Sequence, residues 1–148
     1  MKDLINKINV LIAMLRNFTA NSIPLTGVGM PCEIQLAASD EITDLTTGTK
    51  VTLRMPYAMT LTSIRGSLTT AATGVTLLAF DIQQSGVTIF STKPTFDASE
   101  KTTLTALTPS VISNSTLTDD AEITIIIDAI GSTIAGAGLK ITLKGTRA

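Results

Sequence analysis

Apolar and polar positions alternate most clearly over residues 75–92, where two runs, Val75–Gln84 and Val87–Thr92, flank the pair Ser85-Gly86. Glycine tolerates positive φ, so a two-residue turn at this pair can join twisted antiparallel strands. Alternation puts Val75, Leu77, Ala79 and Asp81 on one face and Thr76, Leu78, Phe80 and Ile82 on the other. In the second run Val87 and Ile89 oppose Thr88 and Phe90. A face carrying Leu78, Phe80 and Ile82 needs a cover, most simply a second sheet. The hairpin predicts the centre of a β-sandwich.

Shorter runs of the same kind fill the chain from Glu33 onward. Strands are predicted at Glu33–Ala37 and Glu41–Leu45, and at Lys50–Met55 with Val51, Leu53 and Met55 inward. Pro56, which has no N–H to donate, interrupts the sheet. Ala58–Leu68 sets Met59, Leu61 and Ser63 against Thr60, Thr62 and Ile64. Thr102–Ala106 reads as an edge strand, and Pro109–Leu117 holds Val111 and Ile112 among Ser and Asn. Thr118-Asp119-Asp120 turns the chain into Ala121–Ile130, whose Ile123-Thr-Ile-Ile-Ile127 is among the most buried-looking runs. Gly131–Gly138 is a loop, and Leu139–Leu143 closes the fold. About eight or nine strands with turn signals at close intervals predict an all-β, antiparallel sandwich or jelly roll.

Residues 1–20 follow a different period. Met1, Leu4, Ile8, Leu11, Leu15 and Phe18 recur at spacings of three and four, an a/d heptad stripe widened by Ile5 and Ile12 at e. Fewer than three heptads make a marginal isolated helix, so this one needs a neighbour. The first reading is self-association through Leu4, Ile8, Leu11, Leu15 and Phe18, where the wide stripe suits a trimer better than a dimer although Ile at a with Leu at d leans the other way. The second is packing onto its own domain. A secretory signal is a third, but Asp3, Asn9 and Arg16 break the pattern and no small-residue cleavage site follows. The apolar run Ile8–Leu15 is too short to span a bilayer. Pro24, Gly27, Gly29 and Pro31 make residues 21–32 a connecting arm. The expected organisation is a helix over 1–20, an arm over 21–32 and a β-sandwich domain over 33–148.

Composition narrows the function. The chain has 148 residues, enough for one core. Its net charge is −1 with 16% charged residues, which gives no basic footprint for nucleic acid. Aromatics make up only 3%, and Thr about one residue in six, a mixture that favours strands over helices. Cys32 is the single cysteine, so it forms no internal disulfide and reads as a buried structural thiol.

Candidate chemistry is sparse. With no His, the usual general base and the commonest nitrogen ligand are missing, and a Ser or Cys nucleophile lacks an imidazole partner. Gly131–Gly138 lacks the lysine of a phosphate-binding loop and precedes a strand. Asp119, Asp120 and Glu122 form an acidic cluster, with Asp97 and Glu100 in another loop. Such carboxylates could hold Ca²⁺, although the spacing matches no cation loop, and solvated turn residues are the simpler reading. A paired-carboxylate hydrolase would lack aromatic side chains to hold a sugar. Asn17-Phe18-Thr19 and Asn114-Ser115-Thr116 match the glycosylation pattern, a match that is accidental in any protein made in the cytosol. No cofactor and no catalytic residue is implied.

Several ordered motifs carry a resemblance: Glu41-Ile-Thr-Asp-Leu-Thr-Thr-Gly-Thr-Lys50, Arg54-Met-Pro-Tyr-Ala-Met-Thr-Leu-Thr62, Phe80-Asp-Ile-Gln, Thr88-Ile-Phe-Ser-Thr-Lys93, Asp97-Ala-Ser-Glu-Lys-Thr102, Thr118-Asp-Asp-Ala-Glu-Ile-Thr124 and Gly136-Ala-Gly-Leu-Lys-Ile-Thr-Leu143. Over residues 33–145 the chain resembles a β domain of tailed-bacteriophage virion surface proteins, often found at the C-terminal end of tail fibres. The resemblance implies a jelly-roll-like domain, a homotrimer and a place on the outer surface of a particle assembled from proteins made in the host cytoplasm. It implies no catalytic residues.

Members of that group carry the domain after a long shaft, whereas here a short helix and arm precede it. That departure favours a capsid decoration (cement) protein bound to the major capsid protein or another virion protein. The alternative is a short tail-fibre or baseplate protein that attaches to a host surface glycan. Glycan-binding tips stack sugars on exposed aromatics, and this domain offers only Tyr57, Phe80, Phe90 and Phe96.

Overall fold

The computed structural model describes the backbone of residues 2–20 and 29–148, and side chains at 2–12 and 29–148. The chain divides into two units, Met1–Met30 and Pro31–Ala148. In the first, helix α1 spans Lys2–Ala20, with Asp3 in its first turn, where a negative charge suits the helix dipole. Lys7 pairs with Asp3 across one turn at 3.0 Å, an exposed contact that adds a few tenths of a kcal/mol at most.

The second unit is built from eleven strands: β1 Pro31–Ala37, β2 Gly48–Arg54, β3 Met59–Ser67, β4 Leu78–Gln84, β5 Val87–Thr88, β6 Phe90–Thr92, β7 Thr95–Phe96, β8 Val111–Ile112, β9 Thr116–Leu117, β10 Glu122–Ala129 and β11 Lys140–Arg147. One sheet has the order β1-β11-β3-β9 and the other β2-β10-β4-β5, with β7 also on β4 and β6 paired separately with β8. Every pairing is antiparallel. Each sheet interleaves strands from the two ends of the unit, the winding of a jelly roll.

Alternation places the core. Met59 and Leu61 of β3, Leu78, Phe80 and Ile82 of β4, Ile123, Ile125 and Ile127 of β10, and Ile141 and Leu143 of β11 are all buried. Burying each such side chain contributes about 1.5–3 kcal/mol against leaving it in water. The central turn forms as its residues dictate: Ser85 (φ 52°) and Gly86 (φ 82°) both adopt positive φ, the requirement of a type I′ hairpin.

The structure departs from the alternation pattern in identifiable places. Strands number eleven, not eight or nine: the second arm of the central hairpin is split into β5, β6 and β7, and the run over 109–117 into β8 and β9. Thr88 pairs with Gln83 and Phe96 with Leu78, but residues 89–94 run past only residues 80–82. The surplus loops out as β6 and finds β8. In β3 the register jumps from Ser63↔Lys144 to Leu61↔Gly145, leaving Thr62 as a bulge. The extra residue reverses the phase, so Leu61 and Ile64 both face inward instead of opposing each other.

Two predicted strands are absent. Over Glu41–Leu45 the Asp40 carboxylate takes the N–H groups of Ile42 (3.1 Å) and Thr43 (2.7 Å) and the Thr43 hydroxyl (2.7 Å), and this local turn displaces a sheet ladder. Over Thr102–Ala106 the chain forms a 3₁₀ turn, Thr103–Thr105, capped by the Thr102 hydroxyl, which accepts from Leu104 N. β1 begins at Pro31, two residues before the predicted start, and so takes in the end of the arm.

Candidate functional site

The helix carries the largest concentration of unburied apolar side chains. Leu4, Ile8 and Leu11, at d, a and d of the heptad, are 62%, 47% and 59% exposed. Ile5 and Ile12 at e are exposed as well. Leu15 and Phe18 continue the stripe on the same helix, but their side chains lie outside the described residues, as do Met1 and the arm over 21–28. Among the described residues no helix is long and apolar enough to cross a membrane.

The acidic residues singled out from sequence hold loops. Asp119, Asp120 and Glu122 are exposed. Their turn is zipped to the end of β2: Asp120 N donates to Met55 O, Met55 N to Ala121 O, and the Arg54 guanidinium to Asp120 O. Asp97 accepts from Leu107 N at 2.8 Å, and Glu100 accepts from the Thr105 hydroxyl at 3.0 Å. Among the described residues no three His, Cys, Asp or Glu side chains are placed to hold a metal ion. Asn114 accepts from Thr116 N through its own side chain, a local turn inside the glycosylation pattern.

Cys32 is half-buried on β1, less enclosed than a core thiol. Beside it Tyr57 is also half-buried, with the Arg147 guanidinium 4.8 Å from its ring centre. Burial, with Cys32 nearby, raises the Tyr57 phenol above its ordinary value. A shallow depression of about 310 Å³ is lined by Pro31, Cys32, Glu33, Thr62, Lys144 and Gly145, at the β3 bulge. A second, of about 210 Å³, lies at the Asp40 turn.

One polar group was not anticipated. Alternation places Asp81 on the face opposite Leu78, Phe80 and Ile82, yet it is 1% exposed. Its Oδ1 accepts from the Thr88 hydroxyl at 2.5 Å, and its Oδ2 lies 3.2 Å from both Gln83 Nε2 and Lys93 Nζ. Lys93 also reaches Asp128 of β10 at 2.7 Å. These groups lie where residues 90–93 leave β4, between the bonds from Ile89 N to Ile82 O and from Phe80 N to Pro94 O. The available signal was an acid inside an apolar run with a lysine shortly downstream.

No protein-family model matches the sequence, and no curated protein matches it.

Proposed function

We propose that this chain is a non-enzymatic structural protein of a bacteriophage virion, a trimeric decoration protein that binds the outside of the head and stabilises it. The observation that carries the reading is the heptad stripe: Leu4, Ile8 and Leu11 are 47–62% exposed. Apolar side chains in that state gain most from burial against further copies. Two more copies of the helix, wide at a, d and e, cover such a stripe.

The aromatic residues support a head protein over a glycan-binding tip. Phe80 and Phe96 are fully buried, Phe90 is 4% exposed, and Tyr57 is half-buried beneath Arg147. Among the described residues none presents an open ring to a sugar. A decoration role needs only shape complementarity and buried area on the shell.

Particles assembled with and without the protein test this reading. Without it they should rupture at lower temperature and milder osmotic shock, and adding purified protein back should restore the difference. Equal rupture thresholds would refute it.

A further inference from the structure

The two long outer strands beside the 38–47 loop are not equivalent. β2 is guarded: its register on β10 passes from Ile125↔Val51 to Ile126↔Thr49, leaving Lys50 as a bulge whose ammonium folds back onto Thr46 and Thr47. A bulge and a lysine are common means of blocking further strand addition. β1 has neither. It pairs with β11 from Pro31↔Thr146 to Ala37↔Lys140 without a register shift, and among the described residues nothing pairs with its other side.

The direction of its backbone groups follows from one bond. Ala38 N donates to Leu139 O at 2.8 Å, so the alternate residues Leu36, Ile34 and Cys32 also bond toward β11. The N–H and C=O groups of Ala37, Gln35 and Glu33, and the carbonyl of Pro31, point to the open side. The core-facing Cys32, Ile34 and Leu36 remain half-exposed, whereas Ile141 and Leu143 on the neighbouring strand are fully buried. Among the described residues, both the polar and the apolar complements of β1 are thus incomplete.

We propose that the open edge of β1 is an interface with β1 of a second copy of this chain, paired antiparallel about a two-fold axis through Ile34. The sequence is self-complementary in that register. Ile34 meets its own copy, Cys32 meets the partner's Leu36, and Glu33 faces the partner's Gln35 and not a second carboxylate. Glu33 is already neutralised by Lys144 of its own chain at 3.2 Å. Pro31, which has no N–H, falls at the end of the pairing, where an edge tolerates it. The result is one continuous sheet running from β9 through β3, β11 and β1 into the same strands of the partner. This contact is separate from the helix stripe and does not depend on the virion reading; with both in place, β1 joins one trimer to the next.

The test uses the full chain carrying Leu4→Asp and Leu11→Asp, so that only the edge can associate. In a Cys32→Ser background, Ile34→Cys should give a two-chain band on a non-reducing gel after mild oxidation. Gln35→Cys should not, because in this register its copies lie too far apart to bridge. With Cys32 intact, Gln35→Pro removes an outward N–H while leaving the bonds to β11, and should weaken two-chain association in sedimentation by at least about tenfold. No cross-link at position 34, equal cross-linking at 34 and 35, or unchanged sedimentation of Gln35→Pro would each overturn the proposal.

Discussion

The Lys93 ammonium sits between two carboxylates, 3.2 Å from Asp81 Oδ2 and 2.7 Å from Asp128 Oδ2, and so ties the connection between β6 and β7 to both β4 and β10. The two acids are unequal: Asp81 is 1% exposed and Asp128 34%. Removing the lysine therefore costs more than removing the buried acid's charge. Lys93→Met leaves Asp81 buried without its cation and should destabilise the β unit by about 3–5 kcal/mol. Asp81→Asn keeps a hydrogen-bonding side chain, and Lys93 retains Asp128, so about 1–3 kcal/mol is expected. Urea unfolding of both variants checks the order.

The same lysine sets a pH dependence. The hydrogen bond to Asp128, then that to Asp81, holds Lys93 above the ordinary lysine value of 10.5. Its contribution is therefore complete below 10.5 and lost as pH rises through the higher folded value. Thermal melts across the alkaline range should fall more steeply for the wild type than for Lys93→Met.

At the acid end the Asp40 turn gives a local probe. The Thr43 hydroxyl, then the N–H groups of Thr43 and Ile42, hold the Asp40 carboxyl below its ordinary 3.8. Its contribution is present above 3.8 and disappears as pH falls through the lower folded value. In Thr43→Val, NMR titration should find Asp40 moved up toward 3.8.

Two glycines are set by close approach. A Cβ on Gly66 would come 2.7 Å from Phe96 Cζ and 2.8 Å from Phe80 Cε1, crowding an aromatic pair whose centroids are 6.2 Å apart. A Cβ on Gly145 would come 2.1 Å from the carbonyl oxygen of Thr60, at the β3 bulge. Phenyl rings can shift and backbone cannot, so Gly66→Ala should cost about 1–3 kcal/mol and Gly145→Ala more. Calorimetry should give the lower Tm for Gly145→Ala.

The helix stripe makes a prediction of its own. Ile8→Asp or Leu11→Asp should abolish association through α1, read as a fall in solution mass. The melting of the β unit should be unchanged, because neither substitution alters a residue of that unit.

Much of the sandwich was legible because its long strands obey a two-residue period. The faces of β4 and β10 follow from Leu78, Phe80 and Ile82 and from Ile123, Ile125 and Ile127, and Ser85-Gly86 dictates its own turn. What alternation could not supply were insertions and local competition. The bulge at Thr62 reverses every position beyond it, and nothing in Thr-Leu-Thr-Ser-Ile marks which residue is surplus. Asp40 and Thr102 divert their neighbours into turns by side-chain hydrogen bonds that a strand pattern does not register. Burial of Asp81 depends on where Lys93 arrives after the excursion through β6, a long-range consequence of chain path. The N-terminal helix was legible from its spacing of three and four.

The proposed decoration role is tested most directly by electron microscopy of phage heads assembled in the presence of this protein. A reconstruction should contain density for the jelly-roll unit in groups of three on the outer surface of the head, each group with its helices gathered at a three-fold axis. A head surface without that density, or single copies confined to the tail, would contradict the account.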